Sequence, residues 1–85
     1  MQDSPELRAK LKELIVERLA LPIQPDDLGD TDRLMDDHGV DSVGLFWIVV
    51  GLDEELGVQI GEDEFDLDTF SSVDKLARFL ASRGD

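Results

Sequence analysis

The chain has no cysteine, little positive charge and no long apolar run. Without cysteine there is no disulfide, no thiolate zinc site and no cysteine nucleophile. Eight Lys and Arg stand against twenty-one Asp and Glu, a net charge of −13. A surface so poor in cations is unsuited to phosphate backbones or anionic membranes. The longest apolar run, Leu45 to Val50, is far too short to span a bilayer. The opening Met1-Gln2-Asp3-Ser4-Pro5 lacks the basic-then-apolar pattern of a signal peptide. A cytoplasmic monomer, binding neither nucleic acid nor membrane, is the expectation. No alternating strand pattern exceeds Val58-Gln59-Ile60, and there are no repeats.

With 85 residues, 41% of them apolar, the chain has material for one modest core and little room for a deep cleft. We expect a single domain over 1–85. The charge is unevenly placed. Residues 1–21 carry four basic and four acidic side chains. Residues 22–74 carry one basic residue, Arg33, against sixteen acidic, and residues 75–85 three against one. A partner-facing surface is expected in the acidic middle, steering partners that present basic patches.

Three segments have helical spacing. Ser4-Pro5 is a capped start, followed by Leu7, Leu11, Leu14, Ile15 and Leu19, so the first helix is expected over 4–20. Pro22 and Pro25 end it and open an aspartate-rich loop over 22–41, which Leu28, Leu34 and Met35 are expected to anchor. Ser42 is read as the N-cap of a second helix over 42–56, with Asp41 favourable at its dipole and Gly57 at its C-terminus. Its core stripe is Leu45, Ile48, Val49, Leu52 and Leu56. A short acidic turn or helix is expected over 62–68. Ser71 or Ser72 caps a last helix that buries Val73, Leu76, Ala77 and Leu80. The sum is all-α: a small four-helix bundle of three main helices and one short one, with a long first loop.

Catalytic and metal chemistry find little support. His38 is the one histidine. The nucleophile-elbow pattern around Ser42 fails, because Val40 stands where the first glycine belongs. An EF-hand register from Asp30 fails at Leu34, Met35 and Asp41. No catalytic or metal-ligating set is therefore assigned, and a calcium-binding helical domain is disfavoured. What remains is Asp37-His38-Gly39-Val40-Asp41-Ser42-Val43, opening the second helix. A phosphate joined to a serine hydroxyl there would meet unpaired N–H groups and the positive end of the dipole. Read alone, the same serine is an ordinary cap.

This segment resembles the attachment motif of acyl carrier proteins, in which a D-x-G-x-D-S-[LIV] run opens the second helix of a four-helix bundle. The resemblance covers nearly the whole chain, including a short third helix and a capped last helix. It implies that Ser42 carries 4′-phosphopantetheine, delivered from coenzyme A by a phosphopantetheinyl transferase, with Gly39 and Asp41 shaping the motif. Acyl groups would ride as thioesters on the terminal thiol, and acyl-transferring and acyl-modifying enzymes would be the partners. The protein itself would be no enzyme.

The departures from the family pattern are specific. His38 replaces a usual leucine. After the serine, the second position is commonly Asp and here is Gly44; the fifth is commonly Glu and here is Trp47. Val43, Phe46, Trp47 and Val50 thus form a second apolar stripe. With Asp53 and Glu54 they make the expected recognition face, while Ile60, Phe65 and Leu67 are candidates to line an acyl pocket. The pattern suggests a specialised fatty-acid, polyketide or other secondary-pathway carrier. Two alternatives stay open from the sequence: an aminoacyl or peptidyl carrier of a non-ribosomal pathway, and an unmodified acidic interaction module in which Ser42 only caps.

Overall fold

A computed structural model describes residues 2–83 of the chain. The first helix, α1 (Pro5–Arg18), begins where the Ser4 side chain accepts the Leu7 N–H at 3.1 Å and Pro5 takes the first helical position. It ends before the prolines. The Leu21 N–H reaches back to the Val16 carbonyl and the Ala20 N–H to Glu17, with Ala20 at φ 51°. That is a Schellman closure with alanine in the place glycine usually takes.

A 3-10 turn at Pro25–Asp27 follows, and then α2 (Leu34–His38), α3 (Ser42–Leu56) and α4 (Val73–Ser82). The short helix therefore lies within the first loop and is second in order. Residues 62–68, where a short acidic turn or helix was expected, form turns and no helix. Alpha-two exists because a tertiary bond holds its start, the Leu34 N–H donating to the Ser71 carbonyl at 2.9 Å, and because Gly39 closes its end locally at φ 68°. Five residues could not sustain a helix by propensity alone.

Alpha-one is the spine, packing against both α3 and α4. Its Leu7, Leu11, Leu14 and Ile15 meet Leu45, Ile48 and Leu52 of α3 and Val73, Leu76, Ala77 and Leu80 of α4 in one cluster. Leu28, Leu34 and Val40 pin the long loop to that cluster. Met35, expected among the anchors, points outward and is exposed, because a five-residue helix buries only one face. Phe70, absent from the expected core, is fully buried and sits between Phe65 and Phe79 at 5.1 and 6.1 Å. The helices approach closely at Gly51. A Cβ there would lie 2.9 Å from Leu14 Cδ2, so α1 uses the space that the missing side chain leaves.

Ion pairs hold the loop from outside. Arg8 pairs with Asp3, Asp30 and Asp74, and Lys12 with Asp30. The Asp74 N–H also donates to the Asp30 carbonyl at 2.8 Å. The loop is thereby fixed against the N-termini of α1 and α4, and the end of its acidic run is delivered to the start of α3.

Candidate functional site

Gly39, Val40, Asp41 and Ser42 make the entry to α3. Gly39 turns the chain in the left-handed region, which a side chain adopts only with strain. Val40 follows, buried. Asp41 then takes the capping role: its carboxylate accepts the Gly44 N–H at 2.8 Å. This corrects the expectation that Ser42 is the cap. Ser42 is instead the first helical residue. It is exposed, and its hydroxyl has no hydrogen-bond partner among the described residues.

The reason is visible one residue on either side. With Asp41 as cap, Val40 and Leu45 fall at the two positions of a hydrophobic staple, and both are buried in the same cluster. With Ser42 as cap, the pair would be Asp41 and Phe46, both exposed. Core burial therefore decides the register, and the hydroxyl is left without a structural task.

Around Ser42 the geometry suits an anionic ester. The backbone N–H groups of Ser42 and Val43 have no acceptor among the described residues. They stand at the positive end of a fifteen-residue helix. His38 does not reach toward this end as a free group. Its Nε2 lies 2.9 Å from Asp32 Oδ2, an oxygen that also accepts the Gly29 N–H. The His38 ring, with help from that N–H, holds the Asp32 carboxyl below the usual carboxylate range.

Beside Ser42 lies an apolar face. Val43, Phe46 and Trp47 are 62%, 58% and 52% exposed, and Val50 is half-buried. Gly44 sits behind them against Val40 and the Leu19 side chain, so its smallness serves packing. Farther along, Asp53 is exposed. Glu54 is held by Arg18 of α1 at 2.6 Å, and Glu55 by the same guanidinium at 2.9 Å. The acidic end of α3 is thus partly neutralised from within, with Arg18 offsetting one of its three negative charges.

A groove of about 280 Å³ opens between α3 and the segment that follows it, lined by Phe46, Val49, Ile60, Gly61, Glu62 and Phe65. Phe46 and Phe65 meet edge to face, 6.3 Å between centroids. Leu67, a third pocket candidate from the sequence, is exposed and lies outside this lining. Among the described residues no group of three or more His, Cys, Asp or Glu side chains is placed to hold a metal ion, and no helix is long and apolar enough to cross a membrane.

Comparison with known proteins agrees with this geometry. A family profile described as the phosphopantetheine attachment site matches residues 9–80. An acyl carrier protein of Zymomonas mobilis is 33% identical over 63 residues, 74% of either chain. One of Thermotoga maritima is 28% identical over 83 residues, 98% of each chain. The solution structure of a holo acyl carrier protein of Nitrosomonas europaea superposes with a TM-score of 0.75 at 19% identity, covering 89% of this chain and 93% of that one.

Proposed function

The chain belongs to the acyl carrier protein family, and from that premise we propose that Ser42 is the residue that bears its 4′-phosphopantetheine. The protein is a carrier and not a catalyst, working with a phosphopantetheinyl transferase and with acyl-handling enzymes. The covalent group supplies a long flexible arm ending in a thiol, the reactive sulfur that a chain without cysteine lacks.

The observation that carries the assignment is the division of labour at α3. Asp41 caps the helix, and the exposed Ser42 hydroxyl does nothing for the fold. The unmodified-module reading gave Ser42 a capping role, which Asp41 holds instead. Intact mass after incubation with coenzyme A, Mg²⁺ and a broad-specificity transferase tests the assignment. The wild type gains one phosphopantetheine; Ser42→Ala gains none.

The finer reading is a specialised carrier: one domain over 1–85, cytoplasmic and monomeric, serving a fatty-acid, polyketide or related pathway. Its recognition face is Val43, Phe46, Trp47, Val50, Asp53 and Glu54. Three exposed apolar side chains beside the attachment point, and an internal partner for Glu54, support recognition more by apolar contact than by charge. The groove lined by Phe46, Val49, Ile60 and Phe65 takes the apolar end of the cargo. Trp47→Glu tests the recognition face. It should load with phosphopantetheine normally and react slowly with its own pathway enzymes. Wild-type rates with those enzymes would refute it.

A further inference from the structure

Between α3 and α4, the stretch from Gln59 to Phe65 has little of its own to hold it. The Glu64 and Phe65 N–H groups both donate to the Gly61 carbonyl, at 2.9 and 3.2 Å. Glu64 Oε1 accepts the Gly61 N–H at 3.1 Å, closing the turn. Val58, Ile60 and Phe65 are only half-buried. Among the described residues, the polar tie of this stretch to the rest of the molecule comes from just beyond α4. One Arg83 nitrogen donates to Glu64 Oε2 at 2.6 Å, and another to the Gln59 carbonyl at 3.0 Å. The same guanidinium lies 5.8 Å from the centre of the Phe79 ring.

One side chain therefore grips the segment at two points, residues 59 and 64, and the residues between them, with Phe65, form the outer wall of the groove. The opposite wall, Phe46 and Val49, is on the rigid helix α3. The wall that can give is held by Arg83 and by the contact of Phe65 with the buried Phe70.

We infer that the Arg83–Glu64 pair is a strap that positions the Ile60–Phe65 wall, and so sets how firmly this carrier shelters an apolar cargo. The inference rests on the reading of the groove given under the proposed function. Glu64 suits the task because its two oxygens face different ways: one shapes the turn, and the other ties the turn to the end of the bundle. Arginine suits it because its fork can serve a carboxylate and a carbonyl together. The pair is partly solvated, so it is weak enough to release when a partner enzyme withdraws the cargo.

The test uses Arg83→Gln and Glu64→Gln, neither at the attachment point. Wild type and variants are loaded from octanoyl- or acetyl-coenzyme A by a phosphopantetheinyl transferase, and loading is verified by mass. Hydroxylamine cleavage of the two thioesters is then compared. Acetyl is too short to fill the groove, so it reports general exposure. Wild type should protect octanoyl over acetyl. Each variant should lose about two- to fivefold of that ratio, the shift expected when one ion pair is removed from an open–closed equilibrium. The double variant should lose no more than Arg83→Gln alone. In the unmodified protein, exchange of the Glu64 and Phe65 amides should quicken by a similar factor, a readout that needs no cargo. Glu64→Gln keeps an oxygen for the Gly61 N–H and so preserves the turn. Unchanged ratios in loaded, folded variants would overturn the strap, as would a wild type that protects both thioesters equally. Failure to load would instead overturn the carrier assignment at Ser42.

Discussion

Replacing Asp41 or Ser42 with alanine separates a folding role from a chemical one at adjacent positions. Asp41→Ala removes the carboxylate that accepts the Gly44 N–H at 2.8 Å and a negative charge at the start of α3. Losing such a cap costs about 1 kcal/mol. The lost charge–dipole interaction adds about 0.5 kcal/mol for an exposed group. The total of about 1.5 kcal/mol corresponds to a fall in Tm of about 6–12 °C for a domain of this size. Ser42→Ala removes an exposed hydroxyl with no partner among the described residues. It should stay within about 0.5 kcal/mol of wild type. Urea unfolding followed by circular dichroism reads both variants on one scale, with a common m-value confirming that only stability has changed. If Ser42→Ala cost as much as Asp41→Ala, the serine would be the cap, and the argument that frees it for modification would collapse.

Three further outcomes follow from the packing and charge. Gly51→Ala gains helix propensity but drives a Cβ to 2.9 Å from the buried Leu14; overpacking should win, with a net loss of about 1–2 kcal/mol in urea unfolding. Ala20→Gly relieves the left-handed conformation at the end of α1 and should raise stability by about 0.5–1 kcal/mol, read by the same assay. Lys12, and after it Arg8, hold the Asp30 carboxyl below its ordinary 3.8. Its stabilising contribution is therefore complete above that value and is lost as pH falls through the lower, folded-state value. The stability difference between wild type and Asp30→Asn should accordingly be constant near neutrality and shrink below pH 3.8; a difference that grew on acidification would contradict the pairing.

The three long helices were legible because each carries a local signal that tertiary structure had no reason to override. Ser4-Pro5 and Ser72 are caps, and the leucine stripes of α1, α3 and α4 repeat at helical spacing. Alpha-two was not legible. Its two ends are fixed by Ser71, far away in sequence, and by Gly39, and five residues show no period. At Asp41-Ser42 two good capping residues stand side by side, so capping preference alone cannot choose between them. The staple pair Val40 and Leu45 makes the choice. Phe70 lies between elements, where no stripe marks it as core. The pairing of Glu54 with Arg18 joins residues 36 apart, so the acidic end of α3 looked free in the sequence when it is engaged. Gly44 and Gly51 were recognisable as unusual, but their use against Val40 and Leu14 became clear only from the helix contacts.

We propose that one hydroxyl, Ser42, carries the arm on which this protein works. The chain offers four other serines, Ser4, Ser71, Ser72 and Ser82. Ser4 and Ser72 are helix caps, and the hydroxyls of Ser71 and Ser82 donate to the carbonyls of Asp68 and Phe79. Fragmentation mass spectrometry of the protein after treatment with coenzyme A and a phosphopantetheinyl transferase distinguishes them directly. A single phosphopantetheine is expected on the peptide containing Gly39 to Trp47, at Ser42. Modification at any other serine, or none on a folded sample tried with several transferases, would contradict it.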